Sequence, residues 1–203
     1  LPKLPATALV TDVGSVKGAV LHELAPVLGD RQDCYVGSHP MAGSQHTGME
    51  HARADLFENA ACAVVPGSRA RPDAVECVTE FWSAIGCRVV RMTPEEHDRA
   101  VALVSHLVHL VAASLVNTAA DEGGPNALDL AGPGFRDSTR VSLGPPELWV
   151  DILGANRAEV VRALRDFGGV LGGLADTLAR GGDVTEFLAR ARETRRLCQL
   201  PNV

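Results

Sequence analysis

The chain is short of aromatic residues, has no surplus of positive charge and carries no cysteine pair at metal or redox spacing, and each shortage excludes something. Aromatics make up 4% of its 203 residues, too few for a platform on which nucleic-acid bases stack. Lysine and arginine total 19 against 25 acidic residues, a net charge of −6, so no basic face neutralises phosphates and nucleic acid is not an expected partner. The five cysteines, Cys34, Cys62, Cys77, Cys87 and Cys198, are odd in number and form no CxxC pair. That speaks against a disulfide framework or a metal site, and for a reducing compartment. The longest apolar stretch, Val101 to Val116, is interrupted by Ser105, His106 and His109, so no membrane span is expected. With no signal peptide in view, the expected location is cytoplasmic. A GxGxxG turn after a strand is also missing. The nearest glycine cluster, Gly168-Gly169 with Gly172-Gly173, falls in helical sequence and reads as close helix packing.

What is present describes a globular protein of one ordinary domain or two small ones. Hydrophobic residues at 46% and charged residues at 22% are ordinary proportions for a folded chain. Strand candidates are Ala8 to Val10, Cys34 to Val36, Ala61 to Val65 and Cys87 to Met92, bounded by glycine, proline and small polar residues. Helical patterns lie between them at Val16 to Leu28, near Gly48 to Phe57, and at Pro72 to Ile85. The last has proline at its start and Gly86 past its end, as a helix requires. The alternation predicts an α/β part with a largely parallel, doubly wound sheet.

From Thr93 the strand signals stop. Thr93-Pro94-Glu95-Glu96 is a capping box with proline at the first helical position, opening a long helix to about Ala120. Further helices are predicted at Pro146 to Phe167, Val170 to Arg180 and Asp183 to Leu197. The division therefore falls at residues 1–93, α/β, and 94–203, all-α. After Ala100 the long helix is apolar around most of its circumference, more than a small domain buries by itself. A homodimer through the helical part would cover it.

Two loops bear on chemistry. Thr11 to Lys17 (TDVGSVK) and Gly37 to Ser44 (GSHPMAGS) each begin where a short apolar run gives way to glycine and small polar residues. In an open parallel sheet such loops gather at the carboxyl ends of the strands, where ligands bind, so Ser15 and His39 are expected to share a pocket. A histidine there can accept a proton near neutral pH, or it can merely satisfy turn carbonyls. Ser15 can likewise serve only as a helix N-cap. On the long helix His106 and His109 are three residues apart, without an HExxH pattern or a third ligand, so no metal is expected. Buried, they need polar partners, either core hydroxyls or an anionic ligand in a cavity. The segment Ala131 to Leu143 concentrates Arg136, Asp137 and Arg140. Arginine grips a carboxylate through two parallel hydrogen bonds, and Arg140 is the better ligand candidate.

Taken in order, TDVGSVK, GSHPMAGS, SHLVH on a long helix and FRDSTR followed by a tryptophan resemble the prephenate/arogenate dehydrogenase family, over about Ala6 to Leu197. The resemblance implies a partial Rossmann-like nucleotide-binding domain joined to a helical dimerisation domain. It also implies an NAD- or NADP-dependent oxidative decarboxylation of prephenate or arogenate in tyrosine biosynthesis. By motif match His39 is the histidine that polarises the substrate hydroxyl, with Ser15 bonded to it near the nicotinamide. Arg140 grips a substrate carboxylate, and His106 and His109 line the pocket. Ser44 and Gln45 face the substrate, while Asp137 and Trp149 lie near the subunit contact and pocket wall. Asp12, Val13, Gly14, Ser15, Lys17, Pro40 and Met41 are the implied cofactor contacts.

Three departures from the family pattern are visible. Val108 stands where a proline is common between the helix histidines, which predicts a more regular turn. Ser44-Gln45 replace a threonine and an acidic residue, leaving the choice between prephenate and arogenate open. The chain also enters the α/β domain at what looks like a middle strand, after the glycine-rich phosphate turn and the acidic residue that reads the ribose. The expectation is a chain that keeps the nicotinamide and substrate pocket but not the adenosine half of the cofactor site. Two alternatives are a relative acting on an amino-substituted prephenate in secondary metabolism, and a dimer that binds ligand without turnover.

Overall fold

The computed structural model describes residues 5, 7–42, 48–124 and 126–198. They fall into two compact units, Leu1–Val160 and Val161–Val203. In the first, three strands form a mixed sheet in the order β1 (Val36–Pro40), β2 (Ala61–Pro66), β3 (Arg88–Arg91). β2 and β3 run parallel, whereas β1 is antiparallel to β2 with His39 opposite Ala63. The α/β character holds, but the sheet is mixed rather than largely parallel. The reason is local: Gly37 to Pro40, which the sequence pattern reads as a loop, carry on as strand and pair with Val65 to Cys62.

The segment Ala8 to Val10 contributes one parallel bridge, Val10 to Tyr35. That bridge sets the site. Because the two segments run the same way, the loop after Val10 and the end of β1 emerge at the same end of the sheet.

Helix α2 (Pro72–Ala84) starts with proline, carries Asp73 in its first turn and stops at Gly86, whose φ of +97° a side chain would disfavour. It buries Ala74, Val78 and Trp82, four residues apart on one face. These pack on Val36, Cys62 and Val64, with Trp82 edge-on to Phe57 at 5.6 Å. Burying such a side chain contributes roughly 1.5–3 kcal/mol. The helix expected near Gly48 to Phe57 is only a 3₁₀ turn, Met49–His51, followed by turns.

Helix α1 (Gly18–Leu28) has no cap from its own sequence. Its first amides are satisfied from 80 residues away: Lys17 N and Gly18 N each donate to a different oxygen of Asp98 at 2.8 Å. Asp98 belongs to α3 (Pro94–Val101), which opens with the predicted capping box of Thr93 and Glu96.

From α3 the chain passes without a break through a π turn, Ala102–His106, into α4 (Leu107–Glu122). The turn is closed by Leu107 N–H to Ala102 O. In a regular α-helix, residues five apart point about 140° away from each other. The wider turn instead lets Val101 and His106 share the buried face with His97, His109 and Ala112. The helix is thus regular over Pro94–Val101 and again from Leu107, and departs from α geometry at Ala102–His106. At 29 residues, Pro94–Glu122 is long and apolar enough to cross a membrane by length and composition. Its first turns, however, carry Glu95, Glu96, Asp98 and Arg99, and it buries His97 and His106 in protein contacts.

Short helices α5 (Pro133–Thr139) and α6 (Pro146–Ala155) follow. The helix predicted over Pro146 to Phe167 is interrupted at Asn156, which is buried and bonded through its side chain. Helix α7 (Arg157–Ala179) runs unbroken through all four glycines of the 168–173 cluster. A Cβ at any of them would meet nothing within 4 Å. Helix α8 (Thr185–Leu197) closes the described chain and buries no residue. Asp183 accepts from Thr185 N ahead of it, without a capping box.

Candidate active site

At the end of the sheet where Val10 and β1 lead out, a cavity of about 450 Å³ opens between the strand ends, the π turn and the segment Arg140 to Ile152 that ends in α6. That is a small-molecule volume. It is lined by Ser15, His39, Pro40 and Met41 from the strand side, by Ser105 and His106 from the π turn, and by Arg140 and Trp149 from the helices. Residues from four separate stretches of sequence therefore meet here.

The loop before α1 is held by buried polar contacts. Lys17 is fully buried, and its ammonium pairs with Asp12 and donates to Ser38 O at 2.8 Å. Asp12 also accepts from Gly14 N at 2.7 Å and from the Tyr35 hydroxyl. Thr11 and Ser38 share a hydroxyl hydrogen bond of 2.8 Å. Gly37 makes room for this: a Cβ there would sit 3.2 Å from Lys17 and 3.3 Å from Asp12. Burial lowers the Lys17 pKa although Asp12 pulls the other way. Of the expected cofactor contacts, Ser15, Pro40 and Met41 face the cavity and Val13 is exposed on the loop. Lys17 and Asp12 are turned inward and shape the loop instead.

His39 does not stand alone. Its Nδ1 lies 2.9 Å from Nε2 of His97, whose Nδ1 lies 2.7 Å from Asp98 Oδ1. His97 is fully buried. The His39 pKa is lowered to about 4, first by burial and then by His97, Lys17 and His106, with Asp12 opposing. It is therefore a neutral imidazole at physiological pH, the form that accepts a proton. For Asp98, burial alone would raise the pKa. Hydrogen bonds from His97 and from the amides of Lys17 and Gly18 outweigh it and hold the carboxyl below its usual range.

The two helix histidines have different surroundings. His106 lines the cavity, and its Nδ1 is 3.3 Å from Asn156 Nδ2, which also donates to Asp98 O at 2.7 Å. His109 lies behind Trp149, stacked at 3.7 Å with the rings 14° apart. Its Nδ1 has no hydrogen-bond partner among the described residues. Burial lowers the pKa of both, opposed at His106 by the Asp98 charge and at His109 by a hydrogen bond with the Val141 backbone. Gly144 is required beside Trp149, since a Cβ there would come within 2.6 Å of the indole nitrogen.

Asp137 is exposed on α5 and does not line the cavity. Ser44 and Gln45 lie outside the described residues. Sequence reasoning missed His97, Asp98 and Asn156. Asp98 acts on groups far away in the chain, so the only available signal was a histidine-aspartate pair just after a capping box. Among the described residues no group of three or more potential ligands is arranged to hold a metal.

This geometry can take a proton from a hydroxyl at His39, hold an anion at Arg140 and present a flat apolar wall at Trp149. Comparisons with known proteins show the family of the chain. Residues 1–91 match the model described as prephenate dehydrogenase, nucleotide-binding domain, and residues 93–191 the one described as its dimerization domain. A Bacillus subtilis protein named prephenate dehydrogenase is 39% identical over 155 residues, covering 75% of this chain and 42% of that protein. The structure of prephenate dehydrogenase from A. aeolicus with hydroxyphenyl propionate and NAD+ superimposes with a TM-score of 0.86 at 32% identity, covering 95% of this chain and 68% of that one. Synechocystis arogenate dehydrogenase gives a TM-score of 0.79 at 31% identity, with 96% and 69% covered. The chain spans about half the length of the curated relatives it matches.

Proposed function

We propose a function from one premise: this chain belongs to the prephenate dehydrogenase family. The cavity is the site of an NAD-dependent oxidative decarboxylation of prephenate or arogenate, a step of tyrosine biosynthesis. The observation that carries this reading is the meeting of Ser15, His39, His106 and Arg140 in one cavity. The residues of the cavity and of the loop beside it fit the nicotinamide end of the cofactor. Ser15, Pro40 and Met41 line the cavity, and the loop bearing Val13 and Gly14 is pinned from below by Asp12 and Lys17. Bound NAD supplies the acceptor for a hydride.

The protein's part is to place and ionise the substrate. His39 takes the proton of the ring hydroxyl, so that the oxygen's electrons form a carbonyl as hydride leaves the same carbon. The ring carboxylate then departs as carbon dioxide, and its bonding electrons aromatise the ring to a phenolate, which takes up a proton. Arg140 holds a carboxylate of the substrate through paired hydrogen bonds. Trp149, backed by His109, is the flat wall against which the ring lies. Ser15, on the Thr11 to Lys17 loop, lines the cavity, where its hydroxyl would hydrogen-bond the ring hydroxyl beside a bound nicotinamide.

The assembly is a homodimer through the helical part. Supporting this, Leu164, Phe167, Leu171, Leu174 and Leu178 recur at alternating steps of three and four along α7, the spacing of an interhelical seam. Leu171 is 50% and Leu178 60% exposed, and the open glycines beside them permit close backbone approach. On the π turn and α4 the exposed Val104, Val108 and Leu115 form a second apolar face. The proposed location is the cytoplasm, and the proposed boundary between the two functional parts lies near Thr93.

Reduced-cofactor formation with prephenate and with arogenate, each with NAD and NADP, tests the reading. NAD reduction coupled to carbon dioxide release is expected with at least one substrate. Tight substrate binding with no reduction by either cofactor would favour a non-catalytic dimer.

A further inference from the structure

We infer that Asp98 fixes the two imidazoles of the cavity in opposite tautomers, leaving His39 as a hydrogen-bond acceptor at Nε2 and His106 as a donor at Nε2. The roles assigned to these nitrogens in turnover rest on the function proposed above; the tautomers themselves do not.

The first route runs through the carboxylate. Oδ1 of Asp98 accepts from Lys17 N and Oδ2 from Gly18 N, so it is a carboxylate that donates nothing. His97 Nδ1, 2.7 Å from Oδ1, must therefore carry a hydrogen. In neutral His97 the other nitrogen, Nε2, is then a bare acceptor. His39 Nδ1, 2.9 Å from it, must supply the hydrogen between them. The proton of neutral His39 is thus on Nδ1, and Nε2, the nitrogen not used by His97, is the basic one. When His39 gains a proton, the Nδ1 hydrogen bond strengthens and the new charge is shared toward Asp98, the logic of a buried acid that orients a catalytic imidazole.

The second route runs through the backbone of the same residue. The carbonyl of Asp98 can only accept, so the group of Asn156 at 2.7 Å from it is the amide NH₂. Its second hydrogen points at His106 Nδ1, 3.3 Å away. Nδ1 must then be unprotonated, and the hydrogen of neutral His106 sits on Nε2. The cavity thereby meets its ligand with an acceptor on one side and a neutral donor on the other. The acceptor suits the hydroxyl that loses its proton, and the donor suits a carboxylate or carbonyl oxygen of the same ligand. His97 and Asn156 are positioning residues, since neither lines the cavity.

The direct test is a long-range ¹H–¹⁵N correlation spectrum of the full chain at neutral pH without substrate. It is expected to show His39 protonated on Nδ1 and His106 on Nε2. Both rings in one tautomer, or the reverse pair, would overturn the inference. In Asn156→Asp a carboxylate faces His106 Nδ1, and the hydrogen of His106 should move to Nδ1 while His39 is unchanged. An unmoved His106 in that folded variant would remove Asn156 from the scheme. In turnover, His97→Phe should lower kcat about tenfold, the worth of one orienting hydrogen bond. KM should change little, and His97→Gln, whose amide oxygen can still accept from His39, should recover most of the loss. Equal losses in His97→Phe and His97→Gln would leave His97 a merely structural role. Correct tautomers without turnover would refute the proposed activity alone, and turnover with the hydrogen of His39 on Nε2 would refute this inference alone.

Discussion

The floor of the cavity and the helical stretch from Val161 onward are built on opposite terms. Beneath the cavity, Lys17, His97 and Ser38 are fully buried and each is hydrogen-bonded within the chain. Along α7 and α8, leucines and a phenylalanine stand exposed and the glycines have nothing against them. A buried polar group is tolerable only with its partners present, so the first region is complete within one chain. An apolar seam is tolerable in water only when something covers it, and the proposed homodimer would cover the second.

The largest expected effect is in the anchored region. Trp82→Ala removes the ring that α2 packs against Phe57 and the sheet, and should lower stability by about 3–5 kcal/mol in urea unfolding. Arg140→Lys comes next, with KM for substrate raised roughly tenfold, since the ammonium loses the paired geometry worth about 1.4 kcal/mol. An unchanged KM would remove Arg140 from the site. On the other side of the comparison, Leu171→Ala should alter the stability of the monomer by less than about 0.5 kcal/mol. Leu171→Asp should instead halve the particle mass measured by light scattering. A normal dimer in that variant would break the contrast between the regions.

The smallest effect is one of pH. His39, His106 and His109 all have pKa values below the ordinary imidazole value of 6.5. The unfolded chain therefore binds more protons than the folded one as pH falls below 6.5, and stability declines as pH drops through the folded values. The urea midpoint at pH 5 should be lower than at pH 7. The acid limb of kcat/KM should lie below 6.5, because the proton acceptor must be neutral.

Much of this was legible in the sequence because it is encoded locally. The capping box at Thr93, the proline and glycine around α2 and the end of the strand region at Met92 are all short-range signals, and they fold as they read. His39, Ser15, His106 and Arg140 were legible through their motifs and do meet in one cavity. What stayed hidden depends on contacts distant in sequence. Gly37 to Pro40 look like a loop until β2 offers a ladder. Asp98 looks like a surface residue of α3 until the amides of α1 and the ring of His97 converge on it. The π turn likewise has no local signature, and it serves to keep His106 on the buried face with Val101.

The central claim is that His39 is the proton acceptor in an oxidative decarboxylation. Steady-state kinetics of His39→Asn beside the unaltered enzyme, with prephenate or arogenate and NAD, tests it most directly. The account predicts kcat lower by about a hundredfold or more with KM changed only a few-fold, the mark of an interaction made in the transition state. Equal losses in kcat and in substrate affinity, or an unchanged kcat, would contradict it.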